Sequence, residues 1–255
     1  MITFENVTFG YGDVPVLKDL TFDIPSGESR VIMGPSGSGK STILRLILGL
    51  DNPWSGKISI EGTDILTMKA RQMRELRKQI GMVFQDGALF DSMTVGENIG
   101  FYLFEYTNRK EAEIEREVRQ TLEFVDLDPG IIDKLPEELS GGMRRRVAVA
   151  RAMVSTHPKI MLFDEPTTGL DPQATESVLE LILKLRQVEK MSVIIVTHQI
   201  ADALKLADQY IVIHNGRLVF DGDVEHMRTS ETPELVGFLA PFRNSIDEVI
   251  RKKLV

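Results

Sequence analysis

The chain has no cysteine among its 255 residues. Disulfides, thiolate metal sites and a cysteine nucleophile are therefore excluded. Histidine is scarce: the four present are scattered and show no zinc-ligand spacing. No stretch approaches the run of about 18 apolar residues that a spanning helix needs. The opening MITFENVTF alternates like a strand and lacks the basic-then-apolar order of a signal peptide. The expectation is a cytoplasmic chain; if it works at a membrane, other subunits supply the spanning helices. Basic charge is outweighed, 30 Lys and Arg against 38 Asp and Glu, a net charge of −8. A phosphate backbone would be repelled, so no nucleic acid partner is expected. Internal repeats, low-complexity tracts and long linkers are also missing.

What the sequence does have is an ordinary globular composition, 42% apolar and 27% charged, and enough length for a sizeable core. The stretch VIMGPSGSGKST, Val31 to Thr42, organises it. Val31, Ile32 and Met33 read as the end of a buried strand, and Ile43, Leu44, Leu46, Ile47 and Leu48 as an apolar helix. Between them Gly34, Pro35, Ser36, Gly37, Ser38, Gly39, Lys40, Ser41 and Thr42 fit the phosphate-binding loop pattern in its required strand–loop–helix context. Glycines let backbone N–H groups approach phosphate oxygens, and the helix start adds unpaired donors and partial positive charge. Lys40 is placed to reach the β- and γ-phosphates of ATP, and the Ser41 hydroxyl to ligate Mg²⁺. The bland alternative is a glycine-rich strand-to-helix turn with no ligand.

The rest of the chain reads as α/β. Residues 1–34 are β-rich, with a turn at Tyr11-Gly12-Asp13 and another at Pro25-Ser26-Gly27. Strands follow at Lys57–Ile60 and Gly81–Phe84, separated by a polar helix over 68–79. Residues 86–155 read as a helical insert, in which Ile114, Val118, Leu122 and Val125 recur at helical spacing. Strands return at Ile160–Phe163 and Val193–Val196, with a helix carrying Val178, Leu181, Ile182 and Leu185 between them. Ile211–Ile213 and Leu218–Phe220 close the sheet. Helices thus cover a largely parallel core sheet.

Two further sites carry chemistry. Phe163-Asp164-Glu165 follows an apolar strand, where carboxylates face the ligand crevice of a parallel sheet. Asp164 suits Mg²⁺ and Glu165 suits a water attacking the γ-phosphate. Read alone, the pair is an acidic cap on a strand. Ser140-Gly141-Gly142 is a second glycine-rich helix start and a second anion site, or an ordinary N-cap with a flexible approach.

Taken together, the phosphate loop, LSGGM at Leu139–Met143, FDEP at Phe163–Pro166, GLD at Gly169–Asp171 and Thr197-His198 resemble an ABC-transporter ATPase over roughly residues 1–225. The resemblance implies a RecA-like P-loop core sheet, an antiparallel β-subdomain and an α-helical insert bearing the signature motif. It implies one ATPase domain over 1–225, with the helical subdomain at about 86–155 and a short helical extension at 226–255. Tyr11 resembles the aromatic that stacks on adenine; a core strand aromatic is the alternative. Gln85 resembles the glutamine that senses Mg²⁺ and the membrane subunit, Asp171 the aspartate that communicates across the dimer, and His198 the histidine on the γ-phosphate. His157, His214 and His226 are left as structural or surface residues, and Trp54 is assigned nothing. In this family two ATPases close head to tail, each ATP lying between one phosphate loop and the partner's Ser140-Gly141-Gly142. A homodimer on membrane permease subunits, at the cytoplasmic face of the inner membrane, is the implied assembly.

The signature departs from the family pattern at its fifth position, Met143, where glutamine is usual. A thioether is a poor hydrogen-bond partner, so a polar contact normally made there is in doubt. LSGGM with FQDGALFDSMTVGENI, 84–99, resembles the ATPases of Mce-type lipid transporters, including the system that maintains lipid asymmetry. Lipid cargo and an Mce-domain lipid-binding partner follow from that resemblance. Another cargo, a role in iron–sulfur assembly, and a non-catalytic nucleotide-binding module are the competing readings; Glu165 and His198 together argue against the last. Leu89 and Phe90 read either as contacts for a permease helix or as core of the insert. In the tail, Leu235, Phe238, Leu239 and Phe242 form one helical stripe, bounded by Pro233 and Pro241. Ile246, Val249, Ile250 and Leu254 form a second, with Arg251, Lys252 and Lys253 near its end. Both stripes pack on the chain's own sheet edge, or the second helix reaches the partner ATPase and steadies the dimer.

Overall fold

The computed structural model describes residues 1–154, 158–189 and 191–253. His157 and Leu254 lie outside them. In chain order the elements are β1 (Ile2–Tyr11), β2 (Val14–Ile24), β3 (Arg30–Met33), α1 (Lys40–Ile47), β4 (Ser55–Ile60), β5 (Thr63–Asp64), α2 (Ala70–Arg77) and β6 (Ile80–Val83). Then come α3 (Val95–Tyr106), α4 (Glu111–Phe124), α5 (Gly141–Val154), β7 (Ile160–Asp164), α6 (Pro172–Val188), β8 (Ser192–Thr197) and α7 (Ile200–Leu206). The chain ends through β9 (Gln209–His214), β10 (Arg217–Asp223), α8 (Val224–Thr229), α9 (Pro233–Leu239) and α10 (Arg243–Lys253). Contacts divide it into two compact units, Met1–Arg74 with Ser192–Val255, and Glu75–Met191.

The first unit holds an antiparallel sheet ordered β2-β1-β4-β5. Its strands alternate as half-buried strands do: Ile2, Phe4, Leu20, Phe22 and Ile24 are inside, and Phe4 stacks on Phe22 at 4.6 Å. A second set runs β10-β9-β3-β8, with β3 parallel to both β8 and β9. Val31 pairs with Ile195 on one side and Tyr210 on the other. Strand β3 is buried along its whole length, as is β8, so both read as continuous apolar runs rather than alternating ones. Arg30 is the exception in β3: its buried guanidinium pairs with Asp221 of β10 and, at 3.3 Å, with Glu28.

The tail belongs to this unit. Leu235 and Leu239 of α9 are buried, as are Ile246 and Ile250 of α10. α9 packs on β9 and β10, and α10 on α7 and α8. A 3-10 turn at Ala240–Phe242 separates the two helices at Pro241, where proline breaks the i→i−4 ladder. For its described residues the tail therefore packs on its own chain.

The second unit pairs β6 parallel to β7, Val83 opposite Phe163. Helix α5 is its centre. Val147, Ala148, Val149, Ala150, Ala152, Met153 and Val154 are all buried, which covers the helix nearly all round. α5 packs on α3, α4, α6 and β6. Gly142 permits the approach to α6: a Cβ there would lie 2.7 Å from the Cβ of Ala174. α3 starts with a reciprocal capping box, Thr94 Oγ1 accepting from Glu97 N and the Glu97 carboxylate from Thr94 N. α4 buries Ile114, Val118 and Leu122 along one stripe. The architecture is the expected one: a P-loop α/β fold with an antiparallel β-sheet and a helical segment carrying the signature motif.

Candidate functional site

The first unit carries the phosphate loop. Strand β3 delivers the chain to Gly34, and α1 starts at Lys40. Gly39 forms the N-cap with φ 99°, a left-handed conformation that disfavours a side chain, and a Cβ there would strike Leu17 Cδ2 at 2.4 Å. The helix start has no side-chain cap and no acidic residue in its first turn. Nothing in its sequence competes with an anion there. Lys40 is buried, and its Nζ donates to Gly34 O at 2.9 Å and Pro35 O at 3.1 Å. The ammonium is thus held inside the loop it is expected to serve. Ser38 Oγ is buried without a hydrogen-bond partner, a polar atom of the kind a phosphate-binding loop leaves for its ligand. Pro35 is half-buried; Ser36, Gly37 and Ser41 are exposed, and Thr42 is buried. The loop fits a nucleotide's phosphates.

Tyr11 closes β1 with its ring half in solvent and edge-on to Phe9 at 5.0 Å. An exposed aromatic face suits stacking on a base. Arg45 of α1 holds Asp51 by two hydrogen bonds, at 2.6 and 3.1 Å. That fork keeps the Asp51 carboxyl below the usual carboxylate range, and the Tyr11 hydroxyl adds to the effect. His198 directly follows β8 and is half-buried. His214 ends β9, and His226 lies in α8 against Asp223.

The second unit carries the carboxylates and the signature. Asp164 ends β7, half-buried, and Glu165 follows it, buried. Glu165 adopts φ 47°, which a non-glycine residue rarely takes, and its carboxylate accepts from Thr168 Oγ1 at 3.2 Å. Strain of this kind concentrates at functional sites. Gln85 is exposed, two residues past β6. Ser140 caps α5 with its hydroxyl, accepting from Met143 N at 3.3 Å; Gly141 is half-buried and Gly142 buried. Asp171 caps α6, its carboxylate accepting from Ala174 N at 2.9 Å. Within this unit the Gln85 amide and the Asp164 carboxylate are hard oxygen donors of the type that suits Mg²⁺ arriving on phosphates rather than in a protein cage.

Sequence reasoning overlooked Arg145. It is 5% exposed and donates to Phe84 O at 2.6 Å. Burial pulls its guanidinium below the ordinary arginine value, and Asp86 and Asp164 oppose that. A signal existed: Arg145 lies three and four residues before Ala148 and Val149, on the buried side of α5.

The ABC transporter family model matches residues 17–168. The probable ribonucleotide transport ATP-binding protein mkl of Mycobacterium leprae (strain TN) is 41% identical over 238 residues, 93% of this chain and 68% of that protein. The chain spans about two thirds of the length of the mkl proteins it matches. The intermembrane phospholipid transport system ATP-binding protein MlaF of Haemophilus influenzae (strain ATCC 51907 / DSM 11121 / KW20 / Rd) is 38% identical over 239 residues, 94% of this chain and 90% of that protein. Among solved structures, the ATP-binding cassette MJ0796, dimeric in a post-hydrolysis state with ADP and Pi, superposes with a TM-score of 0.79 at 32% identity, over 88% of this chain and 98% of that one. The chain belongs to the ABC transporter family, as one of its ATP-binding, ATPase subunits. No helix among the described residues is long and apolar enough to cross a membrane.

Proposed function

We propose that this chain energises lipid transport between membranes. Two copies close head to tail on ATP and drive a separate permease that works with an Mce-type lipid-binding partner. The observation that carries the lipid reading is the match to MlaF along nearly the full length of both proteins. LSGGM and the 84–99 stretch, which resemble Mce-type ATPases, support it. The dimeric cassette with ADP and Pi supports the head-to-tail assembly. In this reading residues 1–225 are one ATPase domain, about 86–155 its helical subdomain, and 226–255 an extension, all at the cytoplasmic membrane face.

Each residue then has a role in converting ATP and water to ADP and phosphate. Tyr11 stacks on adenine. Within Gly34–Thr42 the backbone N–H groups of the residues other than Pro35, with the Lys40 ammonium, hold the phosphates. Ser41, Asp164 and Gln85 would hold Mg²⁺, which would supply positive charge to offset that of the phosphates. Glu165 accepts a proton from the attacking water, and His198 hydrogen-bonds the γ-phosphate. Ser140, Gly141 and Gly142 of one copy meet the γ-phosphate held by the other, with Asp171 beside that junction.

A second reading, the same ATPase serving another cargo, is favoured by the mkl relative, whose name specifies ribonucleotide transport. Affinity purification of the tagged chain from detergent-solubilised membranes separates the readings. The lipid reading expects a permease, an Mce-domain protein and co-eluting phospholipid. A permease with a soluble-substrate binding protein overturns it in favour of another cargo, and soluble iron–sulfur scaffold proteins overturn it in favour of cluster assembly.

A further inference from the structure

Helix α5 carries arginines at 144, 145, 146 and 151, and all four donate to backbone carbonyls. Arg144 turns back to Leu139 O at 2.8 Å, and Arg146 reaches Asp126 O at 2.7 Å. Arg151 grips Ala88 O at 2.7 Å and Gly87 O at 3.0 Å. Arg145 donates to Phe84 O at 2.6 Å. Phe84 O belongs to the peptide that joins Phe84 to Gln85, so this bond fixes the backbone from which Gln85 projects.

Burying a guanidinium costs free energy unless charge and hydrogen bonds compensate. Arg145 is nearly inaccessible, and its Nε has no hydrogen-bond partner. A methionine of similar volume would fill the same space at lower cost. Compensation comes from two carboxylates, Asp86 and Asp164, which favour the cation against desolvation. Asp86 is the residue after Gln85, and Asp164 ends β7. One cation therefore holds the Phe84 carbonyl, in the peptide that leads into Gln85, and both neighbouring carboxylates favour its charge. Its own backbone lies in the helix that opens with Gly141-Gly142, five residues from Ser140 or about 7 Å along the axis.

We propose that Arg145 is a positioning residue that ties the Phe84–Gln85 peptide to helix α5 and thereby sets how Gln85 meets the Mg²⁺ of bound nucleotide. The inference rests on the ATPase reading above and goes beyond it. In a head-to-tail dimer Gln85 serves the ATP on its own phosphate loop, and Ser140-Gly141-Gly142 serves the other. The Arg145–Phe84 bond then links the two nucleotides through one helix.

The test compares Arg145→Met with Arg146→Met in the full chain. Arg146→Met removes a similar carbonyl bond from the same helix, but one made to Asp126. The readouts are melting temperature, affinity for a fluorescent ATP analogue in EDTA and across a Mg²⁺ titration, and steady-state ATPase. Both variants should melt a few degrees earlier. Arg145→Met alone should need about tenfold more Mg²⁺ for half-maximal nucleotide binding and lose about tenfold to a hundredfold in kcat, the scale of one lost charge-assisted hydrogen bond. Its ATP affinity in EDTA, and its KM for ATP, should stay within about twofold, the pattern of an interaction that matters after binding. Arg145→Lys, which keeps a charged donor, should recover most of the Mg²⁺ response. Arg145→Met matching Arg146→Met in every Mg²⁺ readout would overturn the inference, as would an equal loss of affinity in EDTA. Should Arg145→Met not fold, Arg145→Gln, which keeps a donor without the charge, is read in the same assays: a smaller shift in Mg²⁺ demand is expected, and no shift overturns the inference. A wild-type chain indifferent to Mg²⁺ would overturn the ATPase reading as well, which distinguishes the two failures.

Discussion

Asp51 shows how a single side chain couples the phosphate-loop helix to pH. Arg45 holds its carboxyl below the ordinary value of 3.8. A depressed carboxylate contributes stability above its unfolded pKa, and the contribution is lost as pH falls through the folded value. Asp51→Asn should therefore lower stability at neutral pH, by no more than about 1 kcal/mol because Arg45 is half exposed. The gap to the wild type should close as pH drops below about 4, near the unfolded carboxylate pKa. Thermal melts from pH 3 to 7, on the order of the carboxylate titration range, check this; a gap constant with pH would deny Asp51 the role. Met143 is a different case. Its backbone N–H donates to the Ser140 hydroxyl, and a thioether is a poor hydrogen-bond partner. Met143→Gln should keep ATPase activity, since the anion site is built from backbone N–H groups. Complete loss of activity in a folded variant would assign Met143 a specific role.

At the scale of elements, the tail gives the clearest expectation. Ile246 and Ile250 are buried against α7 and α8, and Asp247 pairs with Arg228 of α8 at 2.7 Å. Two buried isoleucines are each worth about 1.5–3 kcal/mol. Removing 243–255 should lower the melting temperature of the monomer by at least about 5 °C, at roughly 2–4 °C per kcal/mol for a chain of this size. An unchanged monomer with weaker self-association would instead put α10 on a partner ATPase. The tail's helices were legible because Pro233, Pro241 and the apolar spacing act locally. The same holds for β3, the phosphate loop and α1, whose pattern is contiguous. The short helices α7 and α8 were not read, since six or seven residues give too little periodicity. Arg145 was missed for a different reason. Its meaning comes from a carbonyl 61 residues upstream, and no local pattern encodes that partner. Asp171, read only through the family resemblance, also caps α6 with its carboxylate ahead of Pro172.

For the whole molecule, composition excluded more than it identified. The absence of cysteine, the acidic balance and the lack of long apolar runs narrowed the chemistry, but ordered motifs spread over some 160 residues, Gly34 to His198, brought the family into view. What the sequence could not supply is cargo, because the motifs legible in it concern nucleotide binding and hydrolysis rather than what is transported. The central claim is that Glu165 drives hydrolysis in an ATP-bound pair of chains. Its most direct test is Glu165→Gln, with molar mass and phosphate release measured in the same Mg²⁺–ATP solution. Hydrolysis should fall by roughly 10²–10⁴-fold, the scale of a lost general base, while ATP still binds and the mass doubles to that of a dimer. A variant that hydrolyses ATP at the wild-type rate and stays monomeric would contradict the claim.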